Sequence, residues 1–197
     1  DGGRFERTTR RGKFLFVRID DGPWLLLHFG MTGHLAYFKA DGAAPEHTRL
    51  LVRFDDGYRL AGVWQRRLGR IDLTRGVDDF AATNDLGPDA FEPALGRDEL
   101  ASMLRGRRGG LKSALMDQSF IAGIGNVYSD EILFQAGLMP DREAAGLSDD
   151  ELGVLHRALR HVLTTAIDRQ ADPQRLPSSW LLPRREQGAH CPRCGGE

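Results

Sequence analysis

Cysteine is nearly absent from this sequence, which holds two in 197 residues. Both fall in one short motif, so no disulfide framework can be drawn, and such usage suits a reducing compartment. Long apolar runs are missing too. No stretch approaches the roughly 20 residues of a membrane-spanning helix, and none reads as a secretory leader. Net charge is also in short supply: 27 Lys and Arg against 28 Asp and Glu leave −1, which argues against a strong field over the whole molecule. Lysine is scarce, at 3 against 24 Arg, a bias that carries no functional weight.

What the chain does contain is enough apolar material, 41% of residues, to bury a core in one domain or two small ones. Its charge is unevenly spread. Asp1 to Arg75 holds 14 Lys and Arg against 9 Asp and Glu, and Gly76 to Leu100 holds 1 against 7. Arg105, Arg107, Arg108 and Lys112 follow with no acid among them. Blocks of this kind commonly mark solvated faces, yet a local basic surface suffices to neutralise phosphates.

The first part reads as strands. After the basic TTRRGK, the apolar-rich run of Phe14, Phe16 and Ile19 ends at a turn supplied by Asp20, Asp21 and Gly22. Trp24 to Phe29, Leu35 to Phe38, Leu50 to Phe54, Tyr58 to Val63 and Gly69 to Leu73 continue the set. Strands at this spacing, with no helix between them, predict an antiparallel sandwich or barrel. The acidic stretch Thr74 to Phe91 reads as a loop crossing between domains. Helices are expected over Arg97–Leu104, Leu111–Gln118, Asn126–Ala136 and Ser148–Arg169, so the fold class is α+β. Ser148 with Glu151 forms a capping box, and Leu152, Leu155, Leu159, Val162, Leu163 and Ile167 mark one apolar face. His156 and His161 are expected at the surface or boundary of this helix. The proline-bearing tail from Ala171 is expected to be extended.

The stretch DQSFIAGIGNVYSDEILFQAGLMP, from Asp117 to Pro140, organises the rest. Gly123 and Gly125 allow a sharp turn and close approach of another molecule. Asn126 or Ser129 can cap the helix that follows, and Gly137 with Pro140 stops it. A glycine turn running into a helix start presents free N–H groups and the positive end of the dipole, which suits an anion. A lone glycine pair is more often a tight turn between packed helices. Near the other end, Cys191 and Cys194 at C-x-x-C spacing look like one knuckle of a four-cysteine zinc site, half of a tetrahedral ligand set. A thioredoxin-type pair shares the spacing but belongs at a strand-to-helix junction, whereas this one follows a proline-rich tail.

The Asp117 to Pro140 string resembles the helix, two turns, helix motif of the formamidopyrimidine-DNA glycosylase and endonuclease VIII family of base-excision repair enzymes, and the resemblance runs from about Arg10 to Gly196. It implies an antiparallel β-sandwich catalytic-type domain over residues 1–75, with its N-terminal part missing. A linker over 76–92, a helix, two turns, helix DNA-binding domain over 93–170, and a linker with the first half of a zinc finger over 171–197 complete the implied order. Asn126 and the Gly125 amide would hold a DNA phosphate, with Lys112 as a third contact. Lys13, in TTRRGKFLF, would lie near the lesion strand and assist a lyase step. Met31, in HFGMTGHL, would fill the gap left by a flipped base, and Arg66, in WQRRLGR, would pair with the orphaned opposite base. Leu68 stands where the family usually has phenylalanine. His47 falls in a matching segment, with a core or turn role expected. Many members carry Tyr-Gly-Arg near the finger; here Arg184 and Arg185 could meet phosphate, and Trp180 could pack on the helical domain.

The resemblance further implies a bifunctional glycosylase with abasic-site lyase activity, acting on oxidised bases in duplex DNA by base flipping and a Schiff base. Cys191 and Cys194 would bind a structural Zn2+. The partner would be duplex DNA bearing a damaged base or abasic site, and the protein a monomer in the bacterial cytoplasm, on the nucleoid. Members begin with Pro-Glu, whose secondary amine attacks the sugar, but this sequence opens Asp1-Gly2-Gly3. The expectation is thus a fragment that starts inside the catalytic domain and is inactive as it stands. The alternatives are a non-catalytic DNA lesion-binding protein and an RNA-binding relative, the latter leaving MTG and QRRLG unexplained.

Overall fold

Two-residue alternation builds the first half of the protein. In the computed structural model, which describes residues 2–196, seven strands form two antiparallel sheets: β1 (Phe5–Arg11), β2 (Phe14–Ile19), β3 (Trp24–His28), β4 (His34–Lys39), β5 (Thr48–Arg53), β6 (Tyr58–Val63) and β7 (Arg70–Thr74). The sheet orders are β1-β2-β3-β7 and β4-β6-β5. The pleat sends Val17, Leu25 and Leu27 to one face of the larger sheet, where they cluster with Trp64 and the half-buried Leu35 and Leu50 of the smaller one. Phe16 and Leu26, alternate in the same strands, are fully buried on the other face. Over that face lies α1 (Val77–Thr83), whose Phe80 ring meets Phe14 and Phe16 edge-on at 4.8 and 5.5 Å between centres.

α1 corrects the reading of Thr74 to Phe91 as loop. The run VDDFAAT is under two turns long, with Val77, Phe80 and Ala81 on its inner side, so burial of Phe80, at 5% exposed, stabilises a helix too short for its sequence alone to announce. β1 was not expected either. FERTTRR is almost wholly exposed and forms by pairing with β2 across the Gly12–Lys13 turn, in register from Arg11↔Phe14 to Arg7↔Arg18, with a shift before Phe5↔Ile19.

The chain divides into Asp1–Asn84 and Asp85–Glu197, and the second unit is helical: α2 (Arg97–Arg105), α3 (Leu111–Met116), α4 (Asn126–Ala136) and α5 (Asp149–Asp168). Leu104, Leu115, Ile124, Ile132 and Leu159 belong to one core that also takes in Trp180, 1% exposed. The capping box at α5 is formed: Ser148 Oγ accepts the Glu151 N–H at 3.2 Å, and the Glu151 carboxylate accepts the Ser148 N–H at 2.8 Å. Ile167 departs from the expected apolar face at 55% exposed, because in the last turn the buried position falls on Ala166, four residues after Val162 and 5% exposed. Burial of Leu176 and Trp180 also corrects the expected extended tail, which turns tightly at Pro173–Arg175 and Leu182–Arg184. Half-buried His156 makes a hydrogen bond with the Leu95 carbonyl at 3.3 Å, and His161 is exposed. No helix among the described residues is long and apolar enough to cross a membrane.

Candidate functional site

In the strand unit, two loops lie backbone to backbone. A Cβ on Gly30, at φ +62°, would come within 2.9 Å of the Leu68 carbonyl, so this approach requires glycine. The paired loops bring two expected residues together: Arg66 Nη1 lies 3.9 Å from Met31 Sδ. Met31 is 72% exposed and Leu68 57%, apolar side chains displayed where packing would normally hide them. His47 is an exposed turn residue at φ +61° whose carbonyl accepts the Trp64 N–H at 3.1 Å, which settles it as a turn rather than a core position.

His28, at the end of β3, joins these loops to Lys13. Its Nδ1 accepts the Gly30 N–H at 3.2 Å, and its ring lies 5.0 Å from that of Phe14. Burial, and after it the charge of Lys13, pull its pKa below the usual 6.5, while a hydrogen bond with the Leu68 backbone works the other way. The imidazole is therefore neutral at pH 7. Lys13 itself is exposed on the β1–β2 turn, yet partial desolvation lowers its pKa from the usual 10.5. Lys13 thus acts on His28 through its charge, and contacts run from His28 through Leu68 to Arg66 and Met31. Sequence reasoning missed His28. The available signal was its place at a strand end, just before FGM.

In the helical unit, α3 stops at Met116, two residues short of the expected end, because Gln118 serves the turns instead. Its amide donates to the Met116 and Ile124 carbonyls at 2.7 and 2.9 Å and accepts the Gly123 N–H at 3.0 Å. Gly123 takes φ +113°, and Ile121 and Ile124, both fully buried, anchor the turns from below. Asp117 accepts from the Ser119 hydroxyl at 2.7 Å and the Ser119 N–H at 3.0 Å and pairs with Arg107. Together these hold its carboxyl below the usual range, the Ser119 hydroxyl most of all.

The start of α4 differs from expectation. Its N-cap is Gly125, and no side chain caps it. Ser129 is buried and donates its hydroxyl to the Asn126 carbonyl at 2.8 Å, while Asn126 is exposed. The first amides of the helix are thus left for a partner from outside, beside an amide side chain free to turn toward it. Lys112 is half-buried, with Nζ 2.7 Å from Asp130, and Arg185 reaches the other oxygen of Asp130 at 3.1 Å. Asp130 lies four residues after Asn126 on the same helix face, so both cations flank the helix start. Glu131 is fully buried and accepts the Leu181 and Leu182 N–H groups at 3.3 and 2.8 Å. It fixes the tail that carries Arg185. Neither acid was singled out from sequence.

At the cysteine motif, the Gly195 N–H donates to the Cys191 carbonyl at 2.9 Å, closing a tight knuckle. The backbone amides of Cys194 and Arg193 lower the Cys191 thiol pKa, which favours the thiolate that zinc requires. The pair fits two positions of a tetrahedral site. Among the described residues no group of three or more His, Cys, Asp or Glu could hold a metal.

Both units are similar to known proteins. Residues 1–71 match the formamidopyrimidine-DNA glycosylase N-terminal domain and residues 86–177 the formamidopyrimidine-DNA glycosylase H2TH domain. The formamidopyrimidine-DNA glycosylase of Desulforamulus reducens is 35% identical over 98% of this chain and 75% of its own length. That of Gluconobacter oxydans is 37% identical over 95% and 73%. The Lactococcus lactis formamidopyrimidine-DNA glycosylase bound non-covalently to DNA with an abasic site superposes with a TM-score of 0.85 at 26% identity, covering all of this chain and 75% of that one. MutM in complex with DNA containing carbocyclic 8-oxo-G gives 0.87, also at 26% identity and over 100% and 75%. On these matches, and on two units built as the family's two domains are, the chain belongs to the formamidopyrimidine-DNA glycosylase family of DNA-repair enzymes.

Proposed function

We propose that this chain recognises a damaged base or abasic site in duplex DNA, as part of a glycosylase that flips the base, forms a Schiff base with C1′ of the sugar and cleaves the strand by elimination. The observation that carries this reading is the pairing of Met31 with Arg66 on two glycine-fitted loops. An exposed thioether can fill the space a base vacates, and a guanidinium beside it can donate to the edge of the base left opposite. The helical unit supplies the sequence-independent grip. The uncapped amides of α4 from Gly125 onward, the Asn126 side chain and the Lys112 and Arg185 cations around Asp130 would take DNA phosphates. Lys13, with a pKa lowered toward the working range, would contact phosphate and move a proton during elimination. The attacking amine would be the family's N-terminal proline, which these residues do not include. Leu68, lacking an aromatic face, would stack weakly on the opposite strand.

Cys191 and Cys194 would hold a structural Zn2+, completed by two further ligands. The ion would contribute a rigid cross-link to the finger and take no part in bond breaking.

Borohydride trapping on a duplex with an abasic site tests the chemical half of the proposal. A chain extended by a Pro-Glu-bearing segment should form a covalent adduct, and residues 1–197 alone should bind without being trapped. Binding with no adduct at any length would overturn the enzymatic reading in favour of a lesion-binding protein. Preference for structured RNA at matched salt would overturn both.

A further inference from the structure

Trp64 stands just before the QRRLG loop and is 2% exposed, although it lies beyond the end of β6. Three glycines from separate parts of the chain surround its indole. A Cβ on Gly62 or on Gly69 would overlap the ring, and one on Gly33 would lie 2.6 Å from its Cδ1 and Nε1. The Phe29 ring stacks on it, 11° from parallel at 6.1 Å, and its Nε1–H donates to the His28 carbonyl at 3.1 Å. Gly33 closes the loop that carries Met31, through its N–H to the Phe29 carbonyl at 2.8 Å. Gly69 ends the loop that carries Arg66. One aromatic plate is therefore clasped by both loops and bonded to the strand end that bears His28. At Gly69 the three nearest atoms a Cβ would meet all belong to the ring, and at Gly33 the ring shares that role with the still nearer Phe29 carbonyl oxygen.

We propose that Trp64 is the positioning residue of the damage-sensing loops, the part that holds Met31 and Arg66 at a fixed separation before DNA arrives. This rests on the reading of Met31 and Arg66 given above. A wedge that must enter a base stack gains only if its loops do not fold back under the load, and a two-torsion aromatic wedged among glycines supplies that stiffness. Trp64 touches no DNA itself. Its effect on recognition passes through the two side chains it braces.

The test is the ratio of affinities for an abasic-site duplex and the same duplex intact, measured by competition at one salt concentration. Trp64→Leu, which removes the plate, and Gly69→Ala, which forces it aside, should each lower the ratio about tenfold, whereas Trp64→Phe should keep it within about threefold. Trp64→Leu should leave affinity for the intact duplex within about twofold of wild type, because the two side chains it braces act only at the damaged site. A merely structural role would lower affinity for both duplexes alike. Thermal melting accompanies each variant, and where Trp64→Leu does not fold, Gly69→Ala decides. A folded Gly69→Ala or Trp64→Leu protein with the unmutated ratio, or an equal loss on both duplexes, overturns the proposal. A wild-type chain with no preference for the abasic duplex overturns the functional reading itself, and the bracing role with it.

Discussion

His28 is the residue whose chemistry depends most on its surroundings. Burial and the neighbouring Lys13 charge keep it below 6.5, so it becomes cationic only in mildly acid solution. A nearby phosphate favours the cation. Affinity for the abasic-site duplex should therefore rise as the pH is lowered from 7 toward about 5, and His28→Gln should flatten that rise in a fluorescence-anisotropy titration. Stability runs the opposite way. A folded-state pKa below the unfolded one means that the unfolded chain binds the proton more readily, so the strand unit loses stability as pH falls through 6.5. At the start of α4, Asn126→Ala should weaken intact and abasic duplexes alike, by roughly tenfold, the effect of losing one good hydrogen bond. Lys112→Ala should lower the slope of log affinity against log salt by about 1, since one cation is withdrawn. Met31, Arg66, Gly125 and Asn126 could be named from the sequence because each sits in a short string around a glycine. His28, Trp64, Asp130 and Glu131 were not, because what defines them is a partner far away in the chain. The Trp64 bond to His28 spans 36 residues and the Glu131 bonds to the tail about 50.

Among the elements, α4 and α5 were readable almost to the residue. An apolar stripe with a stop signal fixes a helix whatever packs on it, and Gly137 takes the left-handed conformation at φ +70° that ends α4. The cap of α4 was misread because Asn126 and Ser129 both have capping side chains. The buried Ser129 hydroxyl goes to a carbonyl, and Asn126 is already inside the helix. Where a capping box did form, its removal should be measurable: Ser148→Ala should cost about 1 kcal/mol in urea unfolding, while leaving DNA affinity within about twofold, because α5 carries no proposed contact. β1 and α1 lay beyond reading for the same physical reason. FERTTRR is mostly polar and VDDFAAT is only seven residues long, and each element exists because of what it leans on, β2 for one and the Phe14 and Phe16 rings for the other.

At the scale of the molecule, the proposed reading divides recognition between the two units, and the division would show in what each would lose. Damage to the helical unit should lower affinity for every duplex, while damage to the paired loops should erase only the difference between damaged and intact DNA. A net charge of −1 is compatible with this, since the proposed grip would rely on helix amides and on two cations paired with one aspartate rather than on a broad basic face. The most direct test is a competition experiment at a single salt concentration between a duplex with one abasic site and its intact counterpart, with the wild-type chain and the Met31→Ala/Arg66→Ala protein side by side. The wild-type chain should prefer the abasic duplex by at least about tenfold, and the double variant should bind both equally at close to the wild-type affinity for intact DNA. Equal binding of the two duplexes by the wild-type chain, or an undiminished preference in the double variant, would contradict the account.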